Sequence, residues 1–74
     1  MREKVIALIS EVLECDPQTL YDDSGLSKHE KWDSLGQVSI ALRLEQEFNI
    51  TVDESNIFKI TTVADIIKYL SEQV

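Results

Sequence analysis

Apolar residues recur every three to four positions in three separate stretches of this 74-residue chain, and the rhythm is lost between them. In "EKVIALISEVLE", residues 3–14, Val5, Ile6, Leu8, Ile9, Val12 and Leu13 share one broad arc when projected at about 100° per residue. Glu3, Ser10, Glu11 and Glu14 fall opposite. The spacing predicts an amphipathic helix. "CDPQ" ends it, because Pro17 has no amide to donate and restrains the residue before it.

Residues 16–32 keep no period. Pro17, Asp22, Asp23, Ser24 and Gly25 are turn formers, while Leu20, Tyr21, Leu26 and Trp32 are irregularly spaced. The expectation is a long loop pinned to the core by occasional apolar anchors. A loop of this length inside a small domain either carries function or hides a helical turn. Trp32 is expected to anchor the loop against the following helix, as suits a large ring with one polar nitrogen.

Asp33 and Ser34 are both good N-cap residues, so a second helix is predicted to open at one or the other and to run through "LGQVSIALRLEQEF". Its expected buried arc is Leu35, Val38, Ala41, Leu42, Leu44 and Phe48. Gly36, Ser39, Arg43, Gln46 and Glu47 are expected outside, with Ile40 at the edge of that exposed face. Gly36 costs roughly 1 kcal/mol against alanine in a helix interior, which hints at a close approach to the backbone there. In "NITVDESNIFKI", Ile50 and Val52 alternate like a short strand but have no second strand to pair with, so a loop and one helical turn over Glu54 to Phe58 are predicted. "TTVADIIKYLSEQ" reads as the last helix. Thr62 and Asp65 form a plausible capping box, Val63, Ile66, Ile67 and Leu70 an inward stripe, and Tyr69 lies near the rim. The fold class is all-α: a bundle of three main helices and one short one around a single core, in one domain spanning residues 1–74.

Size narrows the functional classes. A chain this short buries only ~60% of its extended surface and has no room for a deep substrate chamber. The lone Cys15 forms no internal disulfide, and one cysteine with one histidine makes a structural zinc site untenable. Cys15 is expected to be a part-buried free thiol. Fourteen acidic residues against seven basic ones give a net charge of -7, which repels nucleic acid and anionic membranes. The same field suits partners with positive patches, and it also serves solubility. No apolar run is long enough to span a bilayer, and "MREKVIALIS" lacks a signal-peptide pattern. Cytoplasmic residence and a monomeric state are the expectations, with no stable membrane insertion.

Ser34 is the candidate for chemistry. A serine nucleophile needs a base and a group that orients the base. The only histidine, His29, lies upstream in the irregular loop, read as a solvent-facing residue, and "WDSLG" lacks the spacing of a nucleophile elbow. Asp22–Asp23 and Asp53–Glu54 lack the alternating spacing of a calcium loop, and there is no glycine-rich phosphate cradle. Local chemistry leaves two roles for Ser34. It is the N-cap, or, if Asp33 takes the cap, a first-turn residue with a free hydroxyl beside unpaired amides that favour an anion.

Here the chain resembles the acyl carrier protein family. Asp33-Ser34-Leu35 opens the second of three main helices. "VSIALRLEQEF" follows, with Val38, Leu42, Leu44, Glu45, Glu47 and Phe48 matching the family pattern, and "FKITTVADIIKYL" is similar to its last helix. The resemblance spans nearly the whole chain. It implies a non-enzymatic carrier, with a long loop after the first helix and a short third helix. It further implies that Ser34 bears 4'-phosphopantetheine, donated by coenzyme A through a phosphopantetheinyl transferase, with Asp33 and Leu35 as the near recognition frame. Cargo would be an acyl, polyketide or related group held as a thioester. The implied partners are that transferase, an acyl- or aminoacyl-loading ligase or transferase, and a downstream synthase or transferase. Docking onto basic partner patches would use Glu45, Glu47, Asp53 and Glu54, with Arg43 adding a positive charge within i,i+4 reach of Glu47. Gly36 and Ser39 stand where fatty acid synthesis carriers often show acids, which fits a more specialised partner set. A cargo pocket is expected between the helices, lined by Val38, Leu42, Ile60 and Ile67. The rival readings are an aminoacyl carrier, for example of D-alanine, and an unmodified acidic interaction module in which Ser34 only caps its helix.

Overall fold

The first helix, α1, spans Arg2–Leu13 and ends where Glu14 enters the left-handed region at φ 54°. There the Cys15 amide donates to the Ser10 carbonyl at 3.0 Å, a closing bond five residues back that satisfies one of the helix's orphan acceptors. This computed structural model describes residues 2–73. Helix α2 covers Ser34–Phe48 and stops the same way: Asn49 sits at φ 52°, and the Ile50 amide reaches the Glu45 carbonyl at 3.3 Å. A single short turn, α3, covers Glu54–Ile57, and α4 covers Val63–Gln73. No strand is assigned among the described residues, and the "ITV" segment lies outside every helix and bridge. The architecture is the all-α bundle expected, with α1 packed on both α2 and α4, and α3 on α2.

Val5, Leu8, Ile9 and Leu13 of α1 meet Ile40, Ala41 and Leu44 of α2 and Val63, Ile66 and Leu70 of α4 in one buried cluster. Ile67 and Tyr69 are partly buried against it, and the Tyr69 hydroxyl donates to the Thr51 carbonyl at 3.3 Å. The arc of α1 is the one its periodicity predicts. The arc of α2 is not. Leu35 is 77% and Leu42 56% exposed, whereas Ile40 and the polar Gln37 are completely buried. The helix is rotated so that Gln37, Ile40, Ala41 and Leu44 point inward at i, i+3, i+4 and i+7. The reason is polar rather than apolar, and lies in the bonds that Gln37 makes inside.

The long loop hides structure. Pro17–Thr19 forms a 3₁₀ turn, with the Asp16 side chain accepting from the Gln18 amide at 2.9 Å. Leu20 and Trp32 are buried anchors and Leu26 is partly so, but Tyr21 is 64% exposed and anchors nothing. The middle of the loop is strapped to the start of α4. The Leu26 amide donates to the Thr61 carbonyl at 2.8 Å, and Gly25 pairs with Thr62 in an isolated antiparallel bridge. In return the Val63 amide donates to the Ser24 carbonyl and the Ala64 amide to the Asp22 carbonyl, both at 3.0 Å. Thr62 Oγ1 accepts from the Asp65 amide at 3.0 Å, the forward half of the expected capping box. The α4 amino end is thus satisfied by the loop and by Thr62 together.

A side chain at position 25 has no space, since a Cβ there would collide with the Thr61 carbonyl oxygen and lie 2.9 Å from the Thr62 methyl. Gly25→Ala is expected to cost about 3 kcal/mol, the upper end of ordinary overpacking, because the obstacle is backbone. The check is urea unfolding, with a lowered midpoint and an unchanged slope. A loss below roughly 0.5 kcal/mol would mean that the strap yields without cost.

Candidate functional site

Helix α2 begins as it does because Asp33 takes the cap. Its backbone is extended at φ −104° and ψ −173°, its Oδ1 accepts from the Gly36 amide at 2.8 Å, and its carbonyl accepts from Gln37 at 2.9 Å. Of the two cap candidates the structure selects Asp33, which leaves Ser34 as the first helical residue. Ser34 is exposed, and among the described residues nothing engages its hydroxyl. The amides of Ser34 and Leu35 precede the first intrahelical bonds and remain oriented toward the helix's amino end. A phosphoryl group joined to Ser34 Oγ would meet those amides and the positive end of the helix dipole, so the residues present fit a phosphate ester.

Both inward flanks of this first turn are closed. On one side stands Gly36, where a Cβ would lie 2.8 Å from Leu13 Cδ2 and 3.3 Å from Asp33 Oδ1. The close approach anticipated at this glycine is therefore the carboxyl end of α1. On the other side stands Gln37. Its Oε1 accepts from the Trp32 indole nitrogen at 2.6 Å, and its Nε2 donates to the carbonyls of Ile57 and Ile60 at 2.5 and 2.9 Å. Trp32 is 1% exposed and Gln37 wholly buried. One carboxamide thus binds the loop, α2 and the α3 segment, and no buried side-chain polar atom is left unpaired among the described residues. Opening the junction would strand an indole N–H, an amide and two carbonyls, at about 1–3 kcal/mol for each buried group left unsatisfied. The expected role of Trp32 as loop anchor holds, with its single nitrogen fixed.

The expected cargo lining does not assemble. Ile60 is buried and Val38 and Ile67 are half-buried, but Leu42 faces solvent with Leu35 on the outer side of α2. A cavity of about 220 Å³ lies instead toward the far end of α2, lined by Lys4, Ala7, Leu8, Glu11, Arg43, Glu47 and Phe48. A second, of about 480 Å³, follows the loop around Cys15, Thr19 and His29. Ser34 and Gln37 line neither.

The proposed docking charges divide into two groups. Arg43 lies between Glu11 of α1 at 3.6 Å and Glu47 at 3.5 Å, the latter being the i,i+4 pair foreseen. Asp53 and Glu54 are exposed at the start of α3, and Glu45 is half-buried on α2. Leu35 and Leu42, expected in the buried arc of α2, are exposed instead. Their alternation with Ser39 and Gln46 along one stripe was the signal that they face outward. His29 is half-buried rather than solvent-facing. Its Nδ1 accepts from the Lys31 amide at 3.2 Å and its Nε2 lies 3.1 Å from Thr19 Oγ1. Since that hydroxyl donates to the Asp16 carbonyl at 2.6 Å, the neutral ring carries its proton on Nε2 and donates to Thr19. Both ring nitrogens are spent within the loop, so the arrangement offers Ser34 no base. Among the described residues no cluster of His, Cys, Asp and Glu could hold a metal ion, and no helix is long and apolar enough to cross a membrane. Cys15 is a free, partly buried thiol.

Residues 3–70 match the family described as "Phosphopantetheine attachment site". The chain is similar to the acyl carrier proteins of Rickettsia massiliae and Rickettsia typhi, each 34% identical over 73 residues that cover 99% of this chain and 85% of the relative. The acyl carrier protein of Rickettsia canadensis is 33% identical over the same extent.

Removing the Asp33 carboxylate frees the Gly36 amide and one turn of α2. Asp33→Ala is expected to lower stability by about 1 kcal/mol, with Asp33→Ser close to the parent. Thermal unfolding followed by circular dichroism decides this, and equal losses for both variants would contradict the cap.

Proposed function

The chain belongs to the acyl carrier protein family, and from that premise we propose that Ser34 is the residue that bears its phosphopantetheine arm. The protein carries acyl groups as thioesters on phosphopantetheine and presents them to partner enzymes, a non-catalytic role. The observation that supports Ser34 is its position: an exposed, unengaged hydroxyl on the first residue of α2, behind a cap already supplied by Asp33. Attachment joins Ser34 Oγ to the phosphoryl group of coenzyme A, the nucleotide half leaves, and the hydroxyl proton passes to a base of the transferase. Among the described residues no such base stands at Ser34, so the chemistry of loading falls to the partner in this reading. Once bound, the arm supplies a thiol at the end of a flexible tether, which raises the cargo's effective concentration at each docked enzyme.

In this reading Asp33 fixes the height of Ser34 by capping α2. Leu35, 77% exposed beside it, is the apolar contact for the transferase. Glu45, Glu47, Asp53 and Glu54 draw basic partner surfaces toward the molecule, and Arg43 pairs with both Glu47 and Glu11. The whole chain, residues 1–74, serves as one carrier domain and works as a monomer in the cytoplasm. A loading ligase or transferase and a downstream synthase or transferase complete its partners.

Intact mass after incubation of the apo protein with coenzyme A and a broad phosphopantetheinyl transferase tests this. The parent is expected to gain one phosphopantetheine, and Ser34→Ala none while keeping its helix content. An unmodified parent would leave an acidic interaction module in its place. Leu35→Asp is expected to fold as the parent does, since the side chain packs on nothing buried. It should nevertheless lower the transferase kcat/KM about tenfold, the equivalent of roughly 1.4 kcal/mol. An unchanged rate would remove Leu35 from the recognition frame.

A further inference from the structure

We propose that Gln37 seals the bundle beside Ser34 against hydrocarbon, so that cargo is carried outside the core and belongs to the short or polar acyl class. This rests on the attachment of the arm to Ser34. A chain tethered there and turning inward past the first turn of α2 meets Gly36 and Gln37. Past Gly36 it meets Leu13, which already fills the space a single methyl would need. Past Gln37, one helical turn on, it meets a buried amide whose oxygen and nitrogen are committed to Trp32 Nε1 and to the carbonyls of Ile57 and Ile60. Methylene groups can displace a carboxamide only by leaving its partners unpaired in a dry interior. Sequestering an alkyl chain therefore exchanges three hydrogen bonds for apolar contacts that cannot replace them. Each added methylene returns about 0.8 kcal/mol against that loss, so a chain of a few carbons falls furthest short of it.

The cavity toward the far end of α2 offers no alternative shelter. It lies roughly 14–21 Å along the helix axis from Ser34, and Lys4, Glu11, Arg43 and Glu47 give it a charged rim unsuited to hydrocarbon. A long unsubstituted chain on this protein would stay in water, whereas a short chain, or one bearing hydroxyl, amino or carboxyl groups, suffers no such exposure. Gln37 is thus a specificity-determining residue of the carrier, acting through what it excludes.

The test loads apo protein directly from acetyl-, butyryl-, octanoyl- and dodecanoyl-coenzyme A with a broad transferase, mass confirming each form. Two readouts follow: the unfolding midpoint, and the resonances of the Gln37 side-chain amide and the Trp32 indole. All four forms are expected to melt together and to leave both resonances in place. A midpoint that climbs with chain length by more than about 4 °C, or displacement of either resonance by the longer chains, would overturn the exclusion. Gln37→Met, which keeps volume and removes the amide, is expected to acquire the chain-length dependence. A folded Gln37→Met protein as indifferent as the parent would remove Gln37 as the cause, and should that variant not fold, the parent series alone decides. Absence of any adduct by mass defeats the Ser34 reading itself, and this inference with it. Acyl groups released by hydroxylamine from protein isolated from its native host are expected to be short or polar; long plain alkanoyl groups would refute the class.

Discussion

One buried carboxamide holds together the parts of the chain that matter for function. Gln37 is wholly buried against a largely apolar core, and it survives there because Trp32 and two backbone carbonyls complete its hydrogen bonds. Those bonds fix the rotation of α2. With Gln37 inward, Ile40, Ala41 and Leu44 follow it, and Leu35 and Leu42 are turned to solvent. The same rotation places Ser34 at an exposed corner and closes the interior next to it.

Around this junction the molecule separates rigid from reactive. The loop between α1 and α2 is long in sequence but tied down in space: its middle is strapped to Thr61 and Thr62, and its end is pinned by Trp32. That bracing fixes the approach to Asp33, and the Asp33 cap fixes where helical geometry begins. Ser34 gains a defined position while its hydroxyl stays unengaged, which is what the proposed tethering role requires. A hydroxyl already bonded within the fold would have to be released before an enzyme could use it.

The electrostatic design follows the same division of labour. The net charge of -7 favours basic surfaces over acidic ones, while the pairs seen at close range, Arg2 with Asp22 and Arg43 with Glu11 and Glu47, are surface contacts that add little to stability. Glu47 on α2, Asp53 and Glu54 at α3, and the two outward leucines Leu35 and Leu42 are all exposed, so the surface offers both charge and apolar contact.

Local pattern alone determined a good deal. The apolar arc of α1, the stripe of α4, the turn at Glu54 and the absence of a pairing partner for "ITV" all rest on interactions within a few residues, which periodicity records. So does the choice of Asp33 or Ser34 as the place where α2 begins. The face of α2 was not legible, because Leu35, Val38 and Leu42 outweigh Gln37 and Ile40 by hydropathy. Only partners outside the helix, the loop indole and the sequence-distant carbonyls of Ile57 and Ile60, make a buried glutamine preferable to a buried leucine. The strap at Gly25 was hidden for the same reason, since its bonds reach Thr61 and Thr62 across the fold. Sequence named the serine and the helix that carries it. Tertiary structure decided which side of that helix meets solvent and what fills the space behind it, since burial is a property of what arrives from elsewhere in the chain.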